Sequence, residues 1–257
     1  MTWRSNQRTW AVISIILMAV VSPSAAKVIY VDDDGAADFN NIQAAINDAN
    51  DGDIIEVHPG LYRAEINFLG KNIILTSVNP TDSITVATTI IGGDDGNETI
   101  VLFRGTEEPN CMLTGFNING IIAGVDWFFD PGSENHTRAT ISHCLLQSNC
   151  GACGTVITSC DGIISNCIIS DNPSVRCPAT CAAPIIDECH GLIKNCTIAN
   201  NAYVIQIGTN GSTKIQNCII YDSFIRICTG GSLNISHCNV HGGIDAIYME
   251  DPTCALN

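Results

Sequence analysis

Five stretches of this chain share one frame: ISHCLLQSN from Ile141, ISNCIISDN from Ile164, IKNCTIANN from Ile193, IQNCIIYDS from Ile215 and ISHCNVHGG from Ile235. Their cysteines, Cys144, Cys167, Cys196, Cys218 and Cys238, stand 23, 29, 22 and 20 residues apart. A period of this size belongs to solenoids, in which each repeat buries its apolar face only against its neighbours. The unit is too short and too rich in β-branched residues for two helices. Short strands separated by Gly, Asn, Asp and Ser fit it better.

Within each unit the Ile before the cysteine ends one strand, Asn or His makes the bend, and Cys-x-Ile opens the next with both side chains inward. Asn tolerates the left-handed backbone such a bend requires. If each unit is one coil, equivalent residues stack about 4.8 Å apart. Cysteine then lies on cysteine, and Asn166, Asn195 and Asn217 form an internal row with His143 and His237 at its ends. SCDGIISNC and ECHGLIKNC add a second set of columns, matching Cys160 with Cys189, Gly162 with Gly191 and Asp161 with His190. Upstream, LTGFNING keeps the frame with Phe116 in the cysteine position. The fold expected is all-β, a single-stranded parallel β-helix. Its stacked cysteines are read as free thiols acting as small hydrophobes.

Near the amino end, Ile42, Ala45, Ile46 and Ala49 have helical spacing, and Asn40 and Gln43 have the spacing of a capping box. This short helix is expected to cover the open end of the first coil. The segment FNNIQAAINDAN followed by DGDIIEVHPGLY resembles the opening of right-handed parallel β-helix proteins of the pectin-lyase type. The repeated NC-x-I frame resembles their inner coils with an asparagine ladder. The resemblance implies the fold, a groove along the outer face of the first strand of successive coils, and a polysaccharide as partner. Catalytic residues do not carry over. The G-x-Y-x-E signature of pectin methylesterases appears as GLYRAE, with Ala64 in the acidic place, and QDT, DFIFG and RPW are absent, as are the polygalacturonase motifs NTDG, GHG and RIK.

Charge and export narrow the partners. MTWRSNQRTW, AVISIILMAVV and SPSAA read as a basic start, a short apolar run and a small-residue cleavage site, a signal peptide over residues 1–26. The remaining 27–257 form one β-helix domain, secreted or at the cell surface. The apolar run is too short to span a bilayer. Loss of Arg4 and Arg8 takes the formal charge from −15 to −17, which disfavours nucleic acid and anionic lipid and makes neutral glycans easier to hold than acidic ones.

Candidate chemistry lies on TVITSC, APIIDEC, YVIQIG and FIRIC, where Thr158, Asp187, Gln206 and Arg226 form an outward row. A lyase would use Arg226 as base. A hydrolase needs two carboxyl groups, and alternation on a strand sets Asp187 and Glu188 on opposite faces. Asp161 and His190, one coil apart at a turn, form an acid–base pair. Asp32, Asp33 and Asp34, with Asp94 and Asp95, offer carboxylates to Ca²⁺, against the simpler reading of surface acidity. No other cofactor is implied. Cys150, Cys153, Cys177 and Cys181 are assigned to disulfides ahead of a four-thiolate zinc site. Trp127, Phe128 and Phe129 in an insertion could stack on sugar rings. Of the N-x-S/T sites, Asn195 is expected to be buried in the asparagine row and closed to a glycan. GGIDAIYMEDPTCALN follows the last coil without a recognisable cap, so the domain is read as open to extension, or to a partner, at that end. A secreted carbohydrate-associated protein, binding or cleaving polysaccharide, is one reading of the whole; a non-catalytic structural or adhesion solenoid is the other.

Overall fold

The structure, a computed structural model, describes residues 25–63, 65–92, 99–124, 136–147, 149, 155–172, 184–201 and 205–257. Residues 1–24 of the expected signal peptide, the four loop cysteines, Asp94, Asp95 and Trp127, Phe128 and Phe129 lie outside these residues. Among the described residues the chain winds into three parallel sheets, one of ten strands and two of eight, each built of strands from successive coils. In a typical coil the strand Ile157–Thr158 belongs to the third sheet, Ile163–Ser165 to the first and Ile168–Ser170 to the second.

Identical residues superimpose because the strands pair in register. Ile141, Ile164, Ile193, Ile215 and Ile235 are successive partners in the first sheet. Ile157, Ile186, Ile205 and Ile225 are partners in the third. Their side chains, with Leu146, Ile169, Ile198 and Ile220 from the second, fill one continuous core. Each fully buried Ile contributes about 1.5–3 kcal/mol from apolar burial.

The corner between the first two sheets is set by one left-handed residue per coil. His143, Asn166, Asn195, Asn217 and His237 have φ of 52°, 55°, 55°, 53° and 55°, and Gly115, φ 83°, fills the same role ahead of Phe116. Gly is free of the Cβ penalty there, and Asn bears it more readily than most residues. The following cysteines turn inward. Cys144, Cys167, Cys196 and Cys218 are buried and unbonded, with the Cys196 N–H donating to Sγ of Cys218 at 3.5 Å. Elsewhere in the core, burial pushes the thiol of Cys111 up to about 12 and that of Cys189 well above its ordinary value, so those two thiols stay protonated.

The asparagine row at this corner corrects the expectation. Asn166, Asn195 and Asn217 are exposed, Asn195 donating to Asn166 Oδ1 at 3.2 Å across the outside. A positive φ swings the side chain away from the core. Burial therefore gives no reason to close the Asn195 site to a glycan.

The interior asparagines are Asn149, Asn172 and Asn201, exposed by 0 %, 1 % and 7 %, at the exit of the second sheet. The N–H of Asn149 donates to Asn172 Oδ1 at 2.9 Å, and Asn172 Nδ2 donates to Asn201 Oδ1 at 2.8 Å. Nδ2 of Asn172 and of Asn201 also reach the carbonyls of Leu146 and Ile169 at 3.1 and 2.9 Å. Each amide thus satisfies backbone groups that the turn leaves unpaired.

The capping helix, α1, spans Ile42–Asp48 and buries Ile42, Ala45 and Ile46 against the first coils. Its N-cap is Asn41, not Asn40, and accepts from the N–H of Ala44 at 2.8 Å. Gln43 serves the neighbouring chain instead, with Oε1 accepting from the N–H of Asn67 at 2.7 Å. At the other end Lys71 Nζ donates to the carbonyls of Ile46, Asn47 and Ala49 at 2.7, 3.0 and 2.7 Å. A second helix, α2 (Ser83–Thr88), was not apparent in the sequence; Asp82 caps it through the N–H of Thr85 at 2.8 Å. The carboxyl-terminal stretch adds a 3-10 turn, Gly243–Ala246, and strands Ile247–Met249 and Ala255–Leu256. These strands pair with Ile225–Ile227 and with Ser232–Leu233.

Candidate functional site

The third sheet carries the predicted outward row. Thr158 pairs with Asp187, Asp187 with Gln206, Gln206 with Arg226 and Arg226 with Tyr248. The neighbours Ile157, Ile186, Ile205 and Ile225 are fully buried, so alternation turns the row to the surface. Gln206 Nε2 donates to Asp187 Oδ1 at 3.0 Å. Burial chiefly, and the charge of Glu188 next, raise the Asp187 carboxyl to about 6. Arg226 donates to Glu250 Oε1 at 2.8 Å, a bond that raises its pKa. A guanidinium held this way keeps its proton, which works against Arg226 as a base. Tyr248 ends the row, 61 % exposed.

Glu188 does not obey strand alternation. The strand is Ile186–Asp187, and Glu188 has φ 49°, at the bend that follows. Asp187 and Glu188 both raise the proton affinity of His136, so the two carboxylates act on one neighbourhood. The premise that separated them came from treating Glu188 as a strand residue.

Asp161 and His190 meet at the turn as their shared column implies, and His136 joins them. Asp161 Oδ1 accepts from the His190 N–H at 3.1 Å and from His136 Nδ1 at 3.0 Å, and lies 3.4 Å from His190 Nδ1. The rings are 5.2 Å apart between centroids, and His136 Nε2 is 3.9 Å from Glu188 Oε2. Burial pushes the Asp161 carboxyl up, but the hydrogen bonds from His136 and His190 outweigh it and hold the group below its usual range. The hydrogen bond to Asp161 raises His136, while burial lowers His190.

The backbone builds this corner rung by rung. Thr137 bridges Cys160 in parallel, the N–H of Asp161 donates to the Thr137 carbonyl at 2.8 Å, and Thr137 Oγ1 donates to the buried Glu107 carboxylate at 3.0 Å. His190 lies over Gly208 and Gly211, where a Cβ would crowd or collide with its ring. His136 escaped the sequence reading because Thr137 stands where Cys160 and Cys189 mark the frame in later coils.

The carboxylates of Asp32, Asp33 and Asp34 lie within 4.8 Å of one another, close enough to chelate a divalent cation such as Ca²⁺. Asp33 Oδ2 is engaged by the N–H of Leu61 at 3.0 Å.

The family described as right handed beta helix region matches residues 99–255. The chain belongs to this family of right-handed parallel β-helix proteins. No curated protein matches the sequence significantly. Among solved structures, a pectin methylesterase from carrot is similar with 12 % identity over 92 % of this chain and 83 % of that one, at a TM-score of 0.41. No helix among the described residues is long and apolar enough to cross a membrane.

Proposed function

We propose that the chain is an exported, carbohydrate-associated β-helix that binds polysaccharide along the outward row of the third sheet and hydrolyses it there. The observation that carries this is the row itself: Thr158, Asp187, Gln206, Arg226 and Tyr248 in unbroken register, one polar or aromatic side chain per rung. Rungs about 4.8 Å apart offer repeated contacts to an extended polymer, and Tyr248 offers a ring for stacking.

Hydrolysis suits the row better than elimination. Asp187, raised to about 6, is protonated often enough near neutrality to donate to a leaving oxygen. Asp161, held low among His136 and His190, supplies the ionised group nearby. Two carboxyls driven apart by their surroundings are the mark of an acid and its partner. Arg226, retaining its proton, is assigned to binding sugar oxygens. The acidic surface makes neutral glycans the preferred class.

The test is incubation with neutral and acidic glycans. Retention of a neutral glycan and new reducing ends, without the ultraviolet absorbance of unsaturated products, are expected. Turnover should fall as pH rises through about 6, where Asp187 loses its proton. Asp187→Asn should abolish turnover and leave retention intact. No retention of any glycan overturns the reading. Retention without turnover by the wild-type protein leaves the second reading, a non-catalytic adhesion or structural solenoid.

A further inference from the structure

We propose that His136, Asp161 and His190 form a binding site for one divalent transition-metal ion of the zinc class, with Glu188 beside it. This extends the corner described above; binding of the ion does not depend on the polysaccharide reading, and an ion held there would occupy the Asp161 oxygen that reading leaves free.

The donor spacing carries the argument. Zinc binds imidazole nitrogen and carboxylate oxygen at about 2.0–2.2 Å, so neighbouring ligand atoms of a tetrahedral ion lie about 3.3–3.5 Å apart. Asp161 Oδ1 is 3.0 Å from His136 Nδ1 and 3.4 Å from His190 Nδ1. All three residues offer ligand atoms within 4.8 Å of one another. An ion placed among them needs only small side-chain shifts.

The ring of His190 has one usable nitrogen. Among the described residues its Nε2 is buried with no hydrogen-bond partner, against Gly208 and Gly211, so any bond to an ion is made through Nδ1, on the side of Asp161. The carboxylate is oriented by the His190 N–H at 3.1 Å, an outer contact of the kind that fixes metal ligands. Asp161 and Glu188 side chains are 37 % and 42 % exposed, which leaves a path for the ion from solvent. Glu188 Oε2 lies 3.9 Å from His136 Nε2, on the far side of the ring from the nitrogen that faces Asp161, so it stands as an outer partner that orients this ligand and leaves the fourth position to water.

The ligand types choose the metal. Two imidazoles and one carboxylate suit zinc, cobalt and their neighbours, whereas calcium and magnesium prefer oxygen ligands alone. The Asp32–Asp34 cluster has the opposite character, which makes it a natural control.

The experiment uses the whole protein, stripped with a chelator and titrated with Co²⁺ alone, then with Zn²⁺ as competitor. One equivalent of Co²⁺ should bind, with visible d–d absorption intensified by four-coordinate geometry, and Zn²⁺ should displace it. His136→Gln and His190→Gln should each abolish the absorption, Glu188→Gln should weaken binding about 10-fold, and Asp32→Asn with Asp33→Asn should change nothing. Circular dichroism melts identify any variant that fails to fold. Because Gln at 190 faces two glycines, His136→Gln and Asp161→Asn decide if that variant unfolds. No bound equivalent overturns the proposal, as does an equivalent that survives in the folded His136→Gln and Asp161→Asn variants. No glycan enters the assay, so failure here and failure of the polysaccharide reading are separate results.

Discussion

At the residue scale, the corners decide the fold, and they divide into two kinds. Where the backbone goes left-handed, as at Asn166 and Asn195, the side chain faces water and the choice of Asn reflects backbone tolerance. Where the amide is buried, as at Asn149, Asn172 and Asn201, the choice reflects hydrogen bonding. Asn172→Ala strips a partner from the Asn149 N–H and from the Leu146 carbonyl. The loss should be about 2–6 kcal/mol, at about 1–3 for each of the two unsatisfied groups, read as a lowered urea midpoint. Asn166→Ala, at the exposed corner, should cost less. Both columns were present in the sequence, since ISNCIISDN, ISHCLLQSN and IKNCTIANN each end in the buried asparagine. The Asn beside the conspicuous cysteine drew the inference, while the one that closes each stretch does the interior work. Sequence alignment shows that residues recur; which way they point depends on the φ before them.

At the element scale, the strands were legible because one face of each is apolar and the period is two. The third-sheet row followed from the same alternation and extends to Tyr248. Alternation failed at Glu188, where the strand ended one residue sooner than the pattern implied. Helix α1 was legible from its spacing, but the way it is fastened was not, because Lys71 is remote in sequence. Three carbonyls at the end of α1 converge on one ammonium, a favourable position for a cation at a helix C-terminus. Lys71→Met keeps the apolar stem and removes the charge. A loss of about 1 kcal/mol is expected, seen as a lower melting temperature and as faster exchange of the α1 amides.

For the whole molecule, stability is nearest-neighbour. Each coil touches the one before and the one after, so inner coils are held on two sides. The core thins toward the carboxyl end, where Ile235, Cys238, Val240 and Leu256 are only partly buried while Ile193, Cys196 and Ile198 are fully so. Amides of the strands Ser232–Ser236 and Asn239–Val240 should therefore exchange ahead of those of Leu192–Lys194 and Thr197–Ala199. Hydrogen–deuterium exchange read by peptide mass checks this, and uniform protection along the axis would refute it.

The in-register stacking of like on like has a further consequence for how such a chain can change. A duplicated stretch of one turn enters between two copies of itself with its thiol, its amide and its isoleucines already matched above and below. Growth by whole turns thus disturbs no existing contact, and each added turn lengthens the outer row by one more place where a side chain can be tried. The spacing between the repeat cysteines varies from 20 to 29 residues, yet the strands of successive turns keep the same partners.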